Sequence, residues 1–365
     1  PSPGGRLGRG LPSPRGQGAL AARGPDGLAD SGDLDVLAPS ADVKPLRVHT
    51  ERDLNKELES VALDLRAATA ADWTTRQAAL RRLQALLLGG AASLGTDSAP
   101  LLNGLRTLRE PLNAQLADLR SQIIREACCA LSLLAAALGE AFDSYTDFFY
   151  GNLIRQSCIS IAVISTSAHL CMRALIARTK PDRTAPKIAA SLTDRSAGVR
   201  ARAAEYLELL ARVLQRPVDG ERGPLERHAD VLVSALRSAL RDAVAEVRAL
   251  ARAAFWALNA HLPQHCRNLM DALDPQTQRI LREEEPAANE RSAALAEAAA
   301  LAAMAVANGG APQEARPSSR ASSTSRRAPP PAPSQRAARA PPHASDGGGV
   351  GGGDLSHLGH LLSAL

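Results

Sequence analysis

Two stretches of this sequence share one pattern: residues 194–203 read Asp-Arg-Ser-Ala-Gly-Val-Arg-Ala-Arg-Ala, and residues 242–251 read Asp-Ala-Val-Ala-Glu-Val-Arg-Ala-Leu-Ala. In each, an aspartate lies in a turn, and an arginine follows six residues later at the start of an apolar helix. Residues 118–127 (Asp-Leu-Arg-Ser-Gln-Ile-Ile-Arg-Glu-Ala) and 72–80 (Asp-Trp-Thr-Thr-Arg-Gln-Ala-Ala-Leu) also join a turn aspartate to an arginine and an apolar helix. The sequence is therefore built from repeats.

The spacing of these aspartates indicates the type of repeat. The intervals are 46, 76 and 48 residues, and the interval of 76 can hold two shorter repeats with a degenerate turn at Ser165-Thr166-Ser167. Repeats of 40 to 47 residues made of two helices are typical of HEAT and armadillo proteins. One helix pair cannot cover its own apolar face, so we expect five stacked pairs in a short paddle with the intra-repeat turns along one edge.

The composition agrees with an all-α fold. The chain has 365 residues, of which 45% are hydrophobic but only 2% aromatic, a mixture that disfavours β-sandwiches and favours long helices. Apolar residues recur at helical spacing in two of the expected second helices; they are Ile123, Ala127, Leu131, Leu134 and Leu138, and Val247, Leu250, Ala254 and Leu258. The fold class predicted is a HEAT-repeat α-solenoid flanked by disordered segments.

Changes in composition divide the chain into four parts. Residues 1–50 are rich in Gly, Pro and Ser and predict a disordered leader, whereas residues 52–285 carry the helical repeats. An alanine-rich helix is expected over 286–310, and residues 311–365 form a basic tail rich in Ser, Arg, Pro and Gly, expected to be disordered. The longest apolar run, residues 127–138, is too short to span a bilayer.

The sequence carries no pattern of an active site or cofactor site. His261, His265 and Cys266 could suggest a metal site, but Pro263 interrupts the helix that would align them and no fourth ligand follows. The five cysteines lie in apolar patterns without a Cys-x-x-Cys pair, which predicts reduced, buried thiols and a cytoplasmic location. We expect no enzyme, no metal and no cofactor.

The arginines near the turns allow two readings each. Arg200 and Arg248 could brace the turns by pairing with aspartates of neighbouring repeats, or they could contact a partner at the surface. Arg120 and Arg195 lie inside the turns without an evident acidic neighbour at helical spacing, so they either contact a partner or are simply solvated.

Trp73 directly follows the turn residue Asp72, and two readings are open for it as well. It approximately fits the apolar period of the first helical repeat and could belong to the core. An exposed tryptophan beside turns that carry arginines would instead be an anchor with a polar rim, as in protein-binding surfaces.

These residues resemble a TOG domain of the CLASP family of microtubule-associated regulators. The resemblance covers about residues 52–285, and the block 118–128 is its most specific part; residues 273–280 are similar to the end of the domain in plant-type CLASPs. It implies a HEAT-repeat paddle whose turn edge contacts the tubulin heterodimer. The residues implied as tubulin-binding are Trp73, Arg120, Arg195, Arg200 and Arg248.

The resemblance also implies a function in organising microtubules and controlling their dynamics, with a location on the cytoplasmic cytoskeleton, including the spindle and cell cortex. The third turn, placed at Ser165-Thr166-Ser167, lacks the lysine of animal relatives, which puts a charged contact there in doubt. The net charge of +5 and the arginine-rich tail would favour binding to the acidic surface of the microtubule lattice.

The alternative function is a general HEAT scaffold or adaptor for a non-tubulin partner. Specific nucleic-acid binding is not supported, because the sequence has no reader helix or stacking platform. The sequence gives no oligomeric state.

Overall fold

The computed structural model of the protein describes residues 37–66, 72–214 and 222–307. This part of the chain is helical without any strand, and its twelve α-helices follow one another as six pairs. The first helices of the pairs are α1 (Glu51–Leu65), α3 (Ala99–Gln115), α5 (Asp143–Gln156), α7 (Ala185–Ser191), α9 (Ala229–Leu240) and α11 (Pro263–Asp271). The second helices are α2 (Trp73–Leu88), α4 (Ser121–Leu138), α6 (Ala162–Thr179), α8 (Ala197–Val213), α10 (Ala245–Asn259) and α12 (Pro275–Ala307).

The helices form two layers, as in a HEAT solenoid. First helices pack on first helices of neighbouring pairs, such as α1 on α3 and α7 on α9, and second helices pack on second helices from α2 through α12. The predicted all-α solenoid is confirmed.

The number of pairs differs from the expected five. The sixth pair, α11 and α12, was missed because α11 has only nine residues and no arginine follows Asp274 at the spacing of the other repeats. The third turn was also misplaced: Ser165, Thr166 and Ser167 lie inside α6, and the chain turns at residues 157–161.

The core lies between the two layers. The predicted apolar positions of α4 are all buried, and in α10 only Leu250 remains partly exposed. Of the five cysteines, all free, four are buried and Cys158 is half-buried. One helical stretch in the described residues, Ser121–Gln156, is long and apolar enough to cross a membrane, but 72% of its apolar window is buried inside the protein, as expected of a core helix.

Residues 37–50, which sequence analysis assigned to the disordered leader, lie across α2 and α4. The backbone N–H of Leu46 donates to the carbonyl of Ala85 at 2.8 Å, and Arg125 donates to the carbonyl of Ala38 at 3.1 Å. The side chains of Leu46 and Val48 pack against the core. We name residues 37–50 the strap, and it is part of the folded domain; residues 1–36 lie outside the described residues.

A buried carboxylate ties the strap to the helices beneath it. Glu126 of α4 is fully buried and accepts hydrogen bonds from Gln84 at 2.8 Å and Arg81 at 3.1 Å. The hydroxyl of Ser40 approaches the same carboxylate at 3.4 Å, while Arg81 also pairs with Asp42 at 2.8 Å. Because a buried charge is stable only when it is paired and hydrogen-bonded, these contacts account for a glutamate in the core.

The alanine-rich segment is not a separate helix, because α12 runs continuously through Pro286 to Ala307. Its first part is held to the domain by the buried side chains of Leu281 and Ala288 and by an ion pair between Arg252 and Glu284 at 2.8 Å. Residues 308–365, with the expected basic tail, lie outside the described residues.

Candidate functional site

One edge of the paddle carries the loops that join the two helices of each pair. We call it the turn edge and number its turns along the chain. Turn 1 ends at Asp72, and its residues 67–71 lie outside the described residues. Turns 2 to 6 comprise residues 116–120, 157–161, 192–196, 241–244 and 272–274.

Three turns are closed by their aspartates. One carboxylate oxygen accepts the backbone N–H two residues on: Asp118 from Arg120 at 2.8 Å, Asp194 from Ser196 at 2.7 Å and Asp242 from Val244 at 2.8 Å. This side-chain-to-backbone bond replaces a backbone hydrogen bond and fixes the turn. The aspartates that revealed the repeat in the sequence are therefore turn-forming residues.

Arginines in the first turn of the second helices connect neighbouring turns. Arg76 of α2 forms an ion pair with Asp118 of turn 2. Arg200 of α8 forms a bidentate ion pair with Asp242 of turn 5, with Nε 2.5 Å from Oδ2 and Nη2 3.0 Å from Oδ1. The equivalent positions in α4 and α6 hold Ile124 and Ser165, which cannot form this pair. Turns 1 and 2 are thus braced to each other, as are turns 4 and 5, but turn 3 has no such brace.

These pairs shift the ionisation of the turn aspartates. The hydrogen bond from Arg200 lowers the pKa of Asp242 below its usual range. Burial alone would raise the pKa of Asp118, but hydrogen bonds from Arg76 and from the backbone N–H of Arg120 outweigh it, and the pKa is lowered. Both carboxylates are therefore charged at neutral pH.

The structure shows which contacts Arg200 and Arg248 make within the fold. Besides its pair with Asp242, Arg200 donates from Nη1 to the carbonyls of Asp194 at 2.8 Å and Arg195 at 3.2 Å. Arg248 repeats the second contact one turn later, donating to the carbonyls of Asp242 at 2.7 Å and Ala243 at 3.0 Å. Bracing between repeats is confirmed for Arg200, whereas Arg248 braces its own turn without pairing with a neighbouring aspartate.

The other three predicted site residues are accessible from the turn edge. Trp73 is the first residue of α2; it is partly exposed and lies outside the buried core. Arg120 keeps 39% of its side chain exposed, with Nη1 4.0 Å from the Asp118 carboxylate. Arg195 is exposed in turn 4, and its side chain has no acidic partner within the described residues. Trp256, the other tryptophan, is partly buried against the core.

Sequence analysis missed three exposed residues of the turn edge. Leu119 is 96% exposed at the tip of turn 2, and Ile161 is 52% exposed at the end of turn 3. Arg241 is the exposed arginine of turn 5, and its guanidinium donates to the carbonyl of Ala272 at 2.9 Å. Their positions in the sequence could have identified two of them as turn residues. Leu119 lies between the turn residues Asp118 and Arg120, and Arg241 directly precedes Asp242.

Two buried histidines away from this edge, His169 and His261, are held in structural contacts. His261 is buried with Nε2 2.6 Å from the carbonyl of Ala211, so it is a core histidine. Burial lowers the pKa of His169, which stacks on Tyr206 and lies 3.3 Å from Glu205. Among the described residues, no three His, Cys, Asp or Glu side chains are grouped to hold a metal ion.

Comparison with known proteins agrees with this architecture. The protein family described as "CLASP N terminal" matches residues 55–282. A CLIP-associated protein of Arabidopsis thaliana is 33% identical over 261 residues, covering 71% of this chain and 17% of the relative. CLIP-associating protein 1 of Xenopus tropicalis is 30% identical over 266 residues, covering 72% of this chain and 18% of the relative. The chain thus spans less than a fifth of the length of these relatives.

A solved structure has the same fold. It comes from work on tubulin recruitment and assembly by microtubule polymerases with tumor overexpressed gene (TOG) domain arrays, and it superposes with a TM-score of 0.52 at 14% identity, covering 66% of this chain and 48% of that one. At this identity the likeness concerns the fold alone. Because the family match spans the helical repeats from α1 into α12, the chain belongs to the CLASP N-terminal family.

Proposed function

We propose that this chain binds the tubulin heterodimer, free or in the microtubule lattice, through its turn edge and so regulates microtubule dynamics and organisation. Membership of the CLASP N-terminal family supports the microtubule as the partner. The fold is shared with a chain from a polymerase that recruits tubulin. The proposal gives the chain no catalytic activity and places it on microtubules of the cytoplasm, including the spindle and cortex.

The observation that carries the proposal is the chemistry of the turn edge. Partly exposed Trp73 lies at turn 1, Arg120 in turn 2 and exposed Arg195 in turn 4. Asp118 and Asp194 close turns 2 and 4. A large aromatic anchor with basic groups around it is typical of a protein-binding surface. Fixed turns lower the entropy lost on binding, because the contacting side chains start from an ordered backbone.

The site residues fall into two roles in this proposal. Trp73, Arg120 and Arg195 contact tubulin, with Arg241 as the arginine of turn 5. Arg200 and Arg248, which the resemblance implied as contacts, hold the turns in place. The basic tail, residues 311–365, would add salt-sensitive attraction to the acidic lattice.

The test is tubulin binding by the whole chain and its Trp73→Ala variant, together with their melting temperatures. Loss of an interfacial tryptophan removes about 2 to 4 kcal/mol of binding, so we expect at least about thirtyfold weaker binding with little change in melting. A variant that melts normally and binds as tightly as the parent would remove Trp73 from the site. A parent chain that binds neither tubulin nor microtubules would favour the scaffold or adaptor function instead.

A further inference from the structure

Exposed aliphatic side chains are concentrated on turns 2 and 3. Five large hydrophobic residues of the described chain are exposed. Leu119 and Ile161 lie in these turns, and Val163, which is 50% exposed, is the second residue of α6, directly after turn 3. Single exposed hydrophobic residues are ordinary on protein surfaces, but a group of them on one edge marks an interaction site.

Turns 2 and 3, which carry or adjoin these side chains, are neighbours on the turn edge. Helices α4 and α6, which begin directly after turns 2 and 3, pack against each other, so the two turns lie roughly 10 Å apart. Leu119 is held outward by a rigid turn, since Asp118 binds both the backbone N–H of Arg120 and the side chain of Arg76. Residues 160–163 are all exposed, so Ile161 and Val163 form one accessible surface at the start of α6.

The third turn offers no charge to a partner. Residues 157–161 read Ser-Cys-Ile-Ser-Ile, and the nearest cation along the sequence is Arg155 in the last turn of α5. By contrast, turns 4 and 5 expose Arg195 and Arg241. The turn edge therefore carries exposed arginines in turns 2, 4 and 5, but turn 3 itself has no charged residue.

We propose that Leu119, Ile161 and Val163 form an aliphatic patch that packs on an apolar surface of the tubulin heterodimer, and that turn 3 contributes to binding by burying apolar surface instead of by charge. The occupant follows from continuity, because the patch adjoins Trp73 and Arg120 on the same edge. The inference rests on the proposed function, since both concern the same partner.

Salt dependence separates an apolar contact from a charged one. The free energy of burying apolar groups follows the area removed from water, whereas attraction between exposed charges is screened within about 8 Å at physiological ionic strength. A patch of this kind should therefore contribute equally at low and moderate salt, unlike Arg195.

The experiment measures tubulin binding by the whole chain at about 50 and 200 mM salt. The variants are Leu119→Ser and the double change Ile161→Ser with Val163→Ser; Val231→Ser, exposed on α9 away from turn 5, is the matched control. We expect roughly tenfold weaker binding for both patch variants at both salt concentrations, parent-like binding for the control, and unchanged melting throughout. Ile161→Val, which stays apolar, should bind nearly as the parent does.

Two outcomes would overturn the aliphatic patch while leaving the proposed function intact. One is parent-like binding by both patch variants while Trp73→Ala binds weakly. The other is a loss that fades as salt rises, or that appears in Arg155→Ala instead, since either would assign turn 3 a charged contact. A parent chain that does not bind tubulin would overturn the proposed function itself.

Discussion

Replacing Arg200 with alanine should destabilise the domain, whereas replacing Arg195, five residues earlier, should not. Arg200 has 17% of its side chain exposed and makes four hydrogen bonds, two of them to Asp242, which is only 8% exposed. Removing the Arg200 side chain takes away both of its hydrogen bonds to the Asp242 carboxylate, which keeps the hydrogen bond from the backbone N–H of Val244. Arg195 is exposed in the turn that Arg200 braces and serves as the matched control.

The size of the effect lies between two limits. Breaking a fully buried ion pair costs about 3 to 5 kcal/mol, and breaking an exposed one costs about 0.2 to 1 kcal/mol. Because the pair of Arg200 and Asp242 lies near solvent but is mostly covered, we expect a loss of about 2 to 3 kcal/mol in the free energy of unfolding. For a domain of this size that corresponds to a melting temperature lower by about 5 to 10 °C.

The assay is thermal unfolding at neutral and acidic pH together with tubulin binding. The pKa of Asp242 is lower in the folded state than in the unfolded chain, so the pair stabilises the fold fully above about pH 4. That stability is lost as the pH falls through the folded pKa, and the parent and Arg200→Ala should then converge. An Arg200→Ala variant that melts like the parent but loses tubulin as Arg195→Ala does would refute the bracing role.

Two further predictions concern the strap and the tail. A methyl group at Gly89 would overlap the backbone carbonyl of Leu46, so Gly89→Ala should displace the strap and lower the free energy of unfolding by about 2 to 3 kcal/mol. The control is Gly151→Ala, which has open space around it and should leave the free energy of unfolding unchanged or raise it by up to about 1 kcal/mol. Equal melting temperatures of the two variants in thermal unfolding would contradict this prediction. Deleting residues 311–365 should weaken microtubule co-pelleting mainly at low salt, because residues 315–343 carry six arginines and no acidic residue. Unchanged co-pelleting at every salt concentration would show that the tail does not contribute to binding.

Local sequence patterns predicted the repeats because the turn chemistry is local. Asp118, Asp194 and Asp242 bind backbone groups two residues away, and the apolar spacing that follows them marks one helix face. The third turn has neither the aspartate nor the arginine of the others, so its position could not be read from this pattern. The expected turn at Ser165 was therefore wrong by several residues.

The contacts that sequence analysis missed join distant parts of the chain. The strap continues a leader rich in Gly, Pro and Ser and has no helical period of its own. Its partners Ala85 and Arg125 lie some 40 to 90 residues further along the chain. Helical periodicity likewise predicts which residues face the core but not which side chains a turn projects outward. Leu119 was missed for this reason. The sequence also left both readings of Trp73 open; in the structure it is partly exposed at the start of α2, outside the buried core.

The most direct test of the account is amide hydrogen exchange of the whole chain with and without tubulin. If the turn edge is the binding surface, exchange should slow on binding in residues 116–120, 157–161, 192–196 and 241–244. Residues 89–98, 139–142 and 180–184, on the opposite edge, should exchange at the same rate in both samples. Protection confined to that opposite edge, or to the strap, would contradict binding through the turns.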